Sequence, residues 1–197
     1  MTESRQTRLL IVGPPGAGKG TQAARIVERY EVPWISTGDI FRANIKAGTQ
    51  LGQRVSQLIE AGKLVPDELT NEIVADRLRR DDVEHGFLLD GYPRTVDQAH
   101  ALDGVLQADA RALDAVVLLE VDTDSVVSRL LKRAETEGRV DDTEAVIRHR
   151  QEVYAEQTAP LVELFETRGI LIRVDGLGSV DDVTERIFSA LEEKLAA

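Results

Sequence analysis

Short apolar runs alternate with longer amphipathic stretches along most of the chain. Runs rich in branched or aromatic residues predict five β-strands, at 9–12, 34–36, 87–90, 115–121 and 169–175. Stretches with helical spacing and few breakers predict helices over 19–30, 95–106, 125–136, 143–167 and 180–195. This alternation is typical of an α/β protein in which helices cover a parallel sheet.

Two regions interrupt the alternation. Residues 38–84 are far more than a simple crossover between two strands requires, and they read as three short helices divided by Gly48, Gly62 and Pro66. We therefore predict an inserted helical subdomain. Residues 134–143 form a polar stretch between two helical patterns, which predicts a short mobile loop.

Composition narrows the class of protein. A chain of 197 residues, with 42% hydrophobic and 30% charged residues, predicts one globular domain and excludes a disordered or fibrous protein. Cysteine is absent, which excludes disulfides and thiolate metal sites. The apolar run at 9–12 is too short for a signal-peptide core or a membrane span, so we expect a cytoplasmic protein.

The net charge of -11 makes nucleic acid and anionic membranes unfavourable partners. Any anionic ligand must therefore bind at a local basic site.

A glycine-rich segment with the sequence GPPGAGKGT, residues 13–21, directly follows the first predicted strand and opens the first predicted helix. Backbone N–H groups in such a turn can hold phosphate oxygens, and Lys19 can reach the terminal phosphates of a nucleoside triphosphate. Gly20 occupies the position where this kind of loop usually has Ser or Thr, and the hydroxyl follows as Thr21. The segment, called the phosphate loop below, predicts a triphosphate site.

Asp90 ends the apolar run at 87–89. Because the carboxyl ends of parallel strands line the ligand crevice, Asp90 is the candidate ligand for Mg²⁺, directly or through a metal-bound water.

Several segments occur together in this chain: GPPGAGKGTQ (13–22), ISTGDIFR (35–42), GKLVPDELT (62–70), GFLLDGYPRT (86–95), RLLKR (129–133) and GRVDD (138–142). In order and approximate spacing they resemble the adenylate kinase family in its short-lid form. The resemblance implies a P-loop three-layer α/β fold with a five-stranded parallel sheet in a single domain, 1–197. It also implies a monophosphate-binding arm at 36–65 and a short lid at 132–142.

The resemblance implies an activity as well, the reversible transfer of a phosphoryl group from MgATP to AMP, which gives two ADP. The implied ligands are ATP, AMP and ADP, with Mg²⁺ as the cofactor. No zinc is expected, because the zinc-binding insert of long-lid members is missing together with its cysteines. We expect a monomer, since no segment reads as an exposed coiled-coil seam.

The resemblance also assigns residues by position. The implied ATP site comprises Gly16, Ala17, Gly18, Lys19, Gly20, Thr21, Arg133 and Gly178, and the implied AMP site comprises Thr37, Arg42, Lys63, Leu64, Val65, Gly91, Tyr92, Pro93, Arg94, Gln98, Arg139 and Arg150. The implied catalytic residues are Lys19, Arg94, Arg133, Arg139 and Arg150. Arg129 joins the ATP set because it shares a predicted helix face with Arg133.

Some of these side chains have other possible roles. Arg148 and Arg150 are two residues apart on a predicted helix, so at most one of them faces the cleft. Thr37 can cap a helix beginning near Gly38, and the Gln98 amide offers a donor and an acceptor that match the edge of adenine.

The charges are consistent with the implied reaction. The two nucleotides carry about six negative charges at neutral pH. Mg²⁺, Lys19 and the arginines supply roughly eight positive charges around the transferred group. Because the attacking phosphate oxygen is already ionised, the reaction needs alignment and charge stabilisation rather than a general base.

Two alternatives remain open at this stage. A UMP or CMP kinase would share the phosphate loop and most of the arginines, although Thr37, Gln98 and the run 64–67 favour AMP. A non-catalytic nucleotide-binding switch would need only one nucleotide site, and the chain has no Asn-Lys-x-Asp guanine motif.

Overall fold

The structure is a computed structural model that describes residues 6–122, 126, 129–130 and 143–196. Its strands are β1 (Thr7–Val12), β2 (Trp34–Ser36), β3 (Gly86–Asp90), β4 (Ala115–Glu120) and β5 (Leu171–Asp175). The helices that lie wholly within the described residues are α1 (Lys19–Tyr30), α2 (Thr37–Lys46), α3 (Gln50–Glu60), α4 (Asp67–Leu78), α5 (Val96–Ala108), α6 (Glu144–Val153), α7 (Pro160–Thr167) and α8 (Val180–Ala196). A 3₁₀ turn, Asp81–Val83, precedes β3, and a π-helical turn, Tyr154–Thr158, joins α6 to α7.

The five strands form one sheet in the order β2-β3-β1-β4-β5, and all paired strands are parallel. This confirms the predicted five-stranded parallel sheet. The central strand β1 pairs with β3 in a register that places Ile11 opposite Asp90. The phosphate loop and Asp90 therefore leave the same edge of the sheet, side by side.

Alternate residues of β1 point to opposite faces of the sheet, as the period of a strand requires. Leu9 and Ile11 belong to a buried cluster with side chains of α1 and α8, whereas Leu10 and Val12 belong to a cluster with side chains of α5 and α7. Burying each such aliphatic side chain stabilises the fold by about 1.5–3 kcal/mol. The predicted three-layer arrangement is thereby confirmed.

The insert between β2 and β3 contains α2, α3 and α4, as the breakers in the sequence predict. Gly48 and Gly62 follow α2 and α3 with φ values of +65° and +70°, a region that favours glycine. Phe41, Val55 and Val65 form a small buried cluster of their own within the insert. The insert thus has its own apolar core beside the main sheet, while the role of 36–65 as a monophosphate-binding arm stays a prediction.

Several predicted boundaries differ from the structure. The single helix expected over 143–167 is divided by the π-helical turn between α6 and α7. The last strand begins at Leu171 rather than at 169, because Gly169 ends α7 with φ +67° and its N–H donates to the Glu166 carbonyl at 2.9 Å.

The predicted lid, 132–142, and most of the predicted helix 125–136 lie outside the described residues. None of the described helices combines the length and the apolar character needed to cross a membrane.

Candidate active site

The phosphate loop turns directly from β1 into α1. Gly18 stands at the start of α1 in the left-handed region, with φ +93°, and the Gln22 N–H donates back to its carbonyl at 3.1 Å. Among the described residues no side chain caps this helix, although the hydroxyls of Ser36, Thr49 and Thr95 cap α2, α3 and α5. The first N–H groups of α1 and its positive dipole end are therefore available to an anion.

Glycine is required at two other positions of the loop by close packing. A Cβ on Gly16 would lie 2.9 Å from Cγ of Leu130, and one on Gly13 would lie 2.8 Å from the carbonyl oxygen of Leu119. Both residues also have positive φ values, +86° and +150°. The loop is therefore held between its own strand and neighbouring elements in one conformation.

Lys19 is held close to the loop that it follows. Its Nζ donates to the carbonyl oxygens of Gly13, at 2.8 Å, and Pro14, at 3.0 Å. Lys19 lines a large cavity of about 770 Å³ together with Gly18, Thr21 and Asp90. This volume lies within the usual range for a small-molecule site.

Asp90 faces this large cavity from the end of β3. Burial raises the pKa of Asp90 above its ordinary value, and the positive charges of Lys19 and Arg94 oppose that rise. A further cation nearby would lower the pKa and favour the carboxylate. In the described part of the chain no three histidine or acidic side chains cluster as a metal site, so a metal ion beside Asp90 would have at most two protein carboxylates. That suits Mg²⁺, which is commonly held by one or two carboxylates, water and substrate phosphates.

A small cavity of about 70 Å³ adjoins the large one. Most of the predicted AMP-binding residues line it: Thr37, Arg42, Lys63, Leu64, Val65, Gly91, Arg94, Gln98 and Arg150. Arg42, Arg94 and Arg150 line both cavities. Three guanidinium groups therefore stand where the two spaces meet, and an anionic group at that junction would be stabilised from several sides.

Arg94 has a tightly fixed backbone at this junction. Its N–H donates to Oε1 of Gln98 at 2.7 Å, and its carbonyl accepts from the Thr158 hydroxyl at 2.9 Å. Its Nε donates to the Gly91 carbonyl at 2.9 Å. Gly91 has φ +77°, and a Cβ there would lie 2.9 Å from Oγ1 of Thr37. Two bonds thus fix the main chain of Arg94, and the bond to the Gly91 carbonyl directs its guanidinium.

Two residues that the sequence did not single out support this arrangement. Thr158 lies in the π-helical turn, and Nε2 of Gln151 in α6 donates to the Pro15 carbonyl of the phosphate loop at 3.0 Å. The helix that carries Arg150 is therefore bonded both to the loop and to Arg94. A π turn advances the chain with less rotation per residue than an α-helix, and the sequence gives no signal for it.

We expect Thr158→Val to lower kcat about threefold to tenfold, the effect of losing one ordinary hydrogen bond. Valine keeps the shape of threonine but cannot donate to the Arg94 carbonyl. Steady-state kinetics of Thr158→Val and of Thr158→Ser, which keeps the hydroxyl, measure this effect. Equal rates in the two variants would contradict a role for the hydroxyl.

The structure differs from the expectation for Thr37. Ser36 rather than Thr37 caps α2, with its Oγ accepting from the Asp39 N–H at 3.2 Å. Thr37 is the first residue of the helix, and its buried hydroxyl donates to the Gly91 carbonyl at 2.9 Å. The predicted cap is therefore wrong, and Thr37 instead ties α2 to the end of β3.

Two more predicted AMP-site residues have protein contacts. The ring of Tyr92 belongs to the main core, and its hydroxyl donates to Oδ1 of Asn71 at 2.6 Å, so only its backbone is placed to meet a ligand. Burial raises the pKa of the Tyr92 phenol. Arg42 forms an ion pair with Asp39 at 2.6 Å while it lines both cavities.

Arg129 lines the large cavity and donates to the Gly176 carbonyl at 3.3 Å. Gly178 lies two residues before Val180, which lines the same cavity. Arg148 pairs with Glu144 at the surface, and of the two neighbouring arginines it is Arg150 that faces the cavities.

The remaining predicted positions divide into two groups. In the first group the residues are described by the structure. Ala17 is buried against the core, and Gly20 lines the large cavity beside Trp34. Pro93 lines a third cavity, of about 60 Å³, which Lys19 also lines. The second group, Arg133 and Arg139, lies outside the described residues.

Comparison with known proteins identifies the family. A model of the adenylate kinase family matches residues 11–170. The chain belongs to the adenylate kinase family. It is 65% identical to an adenylate kinase of Kocuria rhizophila over 186 residues. These aligned residues make up 94% of this chain and 99% of the relative. Identity is 58% to an adenylate kinase of Leifsonia xyli, over 94% of each chain, and 53% to one of Pseudarthrobacter chlorophenolicus, over 97% of this chain and 100% of the relative.

Membership of the adenylate kinase family makes this chain a phosphotransferase and confirms the resemblance read from its motifs. The family match does not favour the alternatives, a UMP or CMP kinase and a non-catalytic switch.

Proposed function

We propose that the protein catalyses the reversible transfer of a phosphoryl group from MgATP to AMP, giving two ADP. The observation that carries this proposal is the pair of adjoining cavities, one at the phosphate loop and one at the insert, with Arg42, Arg94 and Arg150 at their junction. A transfer between two polyanions needs two sites that meet at a cluster of cations. A switch that binds one nucleotide would need only one of them.

The large cavity is the proposed ATP site. The N–H groups at the start of α1 bind the phosphates, and Lys19 adds a point charge at their terminal end. Asp90 would hold Mg²⁺, directly or through water, and the bound ion neutralises phosphate charge. Arg129 lines the region proposed for the nucleoside, and Gly178, two residues before the lining residue Val180, is proposed to contact the base through its main chain.

The residues that line the small cavity form the proposed AMP site, and the space of about 70 Å³ between them has to widen to admit a nucleotide. Thr37, Leu64, Val65 and Gln98 surround the space for the base, and the arginines at the junction bind the phosphate. Arg133 and Arg139 complete the proposed set of cations from the predicted lid.

The transfer itself is an in-line displacement. An oxygen of the AMP phosphate forms a bond to the γ-phosphorus of ATP while the bond from that phosphorus to the bridging oxygen of ADP breaks. Lys19, Arg94 and Arg150 stabilise the charge that spreads over the transferred group. No proton has to be removed, because the attacking oxygen is already ionised.

We also propose a monomeric, cytoplasmic enzyme that does not act on nucleic acid. The high negative charge of -11 supports the last point, since polyanions would be repelled outside the basic junction.

Purified protein mixed with Mg²⁺ and ADP alone should form ATP and AMP in equal amounts, which chromatography of the nucleotides measures directly. Omitting Mg²⁺ should slow the reaction strongly, because the metal neutralises the phosphates. A failure to form AMP from ADP would contradict the proposal. With ATP as donor, faster turnover of CMP or UMP than of AMP would contradict the proposed acceptor.

A further inference from the structure

We propose that Asp67 is a positioning residue that fixes the orientation of the Gln98 amide and thereby the base preference of the small cavity; this inference rests on the proposed AMP site. Asp67 is the first residue of α4 and comes two residues after Val65, which lines that cavity. It lies across from the N-terminal end of α5, where Thr95 and Gln98 are found.

The carboxylate of Asp67 accepts two hydrogen bonds from that neighbouring segment. Its Oδ2 accepts from the Thr95 hydroxyl at 2.7 Å, and its Oδ1 accepts from Nε2 of Gln98 at 2.7 Å. Both lengths are typical of charge-assisted bonds. One carboxylate therefore joins the N-terminal end of α4 in the insert to the N-terminal end of α5.

These bonds decide which way the Gln98 amide points. Its Oε1 accepts from the Arg94 N–H at 2.7 Å, while its Nε2 faces the acceptor-only carboxylate. If the amide turned over, its oxygen would face a carboxylate and its NH₂ would face an N–H donor, so both contacts would be repulsive. The orientation rests on this network of donors and acceptors.

Gln98 is only 2% exposed, yet it is part of the wall of the small cavity. A primary amide has two N–H groups and an oxygen with two lone pairs, so one donor and one acceptor remain beyond the bonds to Asp67 and Arg94. With its orientation fixed, the amide presents these groups in one order. A base with the opposite order, such as a 6-oxopurine in place of a 6-aminopurine, meets a mismatched donor and acceptor.

The test compares kinetics with AMP and with IMP as acceptors. In Asp67→Ala the amide loses one of the two partners that fix it and keeps only the Arg94 N–H, so we expect KM for AMP to rise about tenfold and the preference for AMP over IMP to fall by a similar factor. KM for ATP should stay within about twofold, because the large cavity has no contact with Asp67 among the described residues. Asp67→Asn can still offer an oxygen to Gln98 and is expected to restore most of the preference.

Asp76→Ala is the matched control, since Asp76 lies on the same helix but pairs with Arg79 at the surface. If Asp67→Ala does not fold, Asp67→Ser replaces it, because the serine side chain is too short to reach both partners.

The outcomes distinguish a failure of the proposed function from a failure of the proposed role of Asp67. If the wild-type enzyme does not turn over AMP, the proposed function fails before any variant is compared. If the wild type prefers AMP and Asp67→Ala keeps both its KM for AMP and its AMP to IMP preference, this inference alone is overturned. Equal rises in KM for ATP and AMP with an unchanged base preference would assign Asp67 a purely structural role and would also overturn it.

Discussion

Lys19→Met is expected to lower kcat by at least about a hundredfold, the effect of removing a preorganised charge from a transition state. Methionine has nearly the same length and keeps the apolar stem, so the change removes the ammonium and little else. In the structure that ammonium donates to the Gly13 and Pro14 carbonyls and lines the large cavity. Initial rates of ADP formation from ATP and AMP measure the loss.

The matched control for this variant is Lys46→Met. Lys46 ends α2 in an exposed position, and its replacement should leave the rate close to that of the wild type. Thermal unfolding of both variants separates a chemical effect from a loss of fold. A rate for Lys19→Met within about tenfold of the wild type would contradict its proposed role at the transferred phosphate.

The centre of the sheet could be predicted because β1, β3 and β4 contain continuous apolar runs, as strands buried on both faces must. The start of β1 was placed two residues late. Thr7 and Arg8 are polar, yet both are buried in the sheet. They pair with Gly86 and Phe87, the first two residues of β3. Pairing with a neighbour distant in sequence, rather than local pattern, decided this boundary.

The phosphate loop was predictable for a different reason. The loop needs backbone conformations with positive φ, and glycine is the residue that adopts them most readily. A requirement of this kind is therefore visible in the sequence as glycine. Gly16 and Gly18 both have the positive φ values that the motif implies. Local geometry and local sequence agree here, so the pattern was sufficient.

The partners that position the arginines could not be read in the same way. Thr158 contacts Arg94 across 64 residues, and Asp67 contacts Gln98 across 31 residues. Both contacts depend on how separate elements pack, and one of them on the π-helical turn. A threonine or aspartate in a helical segment carries no mark of such a role.

Most residues that the motif resemblance assigns to the AMP site line one cavity, but their detailed contacts could not be read from the motifs. The sequence allows Thr37 to cap a helix, but Ser36 is the cap in the structure, because α2 begins one residue earlier than the pattern indicates. Tyr92 shows a similar limit, since its phenol ring packs in the core while the neighbouring Gly91 and Arg94 line the cavities. One short segment therefore combines residues that line the cavities with a residue that packs in the core.

Arg94→Ala is also expected to lower kcat by at least about a hundredfold, because the guanidinium at the junction of the two cavities stabilises the transferred group. Arg94→Lys keeps the charge but loses the planar fork and the Nε bond to the Gly91 carbonyl, so it should restore only part of the rate. Arg79→Ala, at a surface ion pair, is the control and should match the wild type. Single-turnover measurements separate transfer from product release, and a near-normal transfer rate in Arg94→Ala would assign the stabilising charge to the other cations.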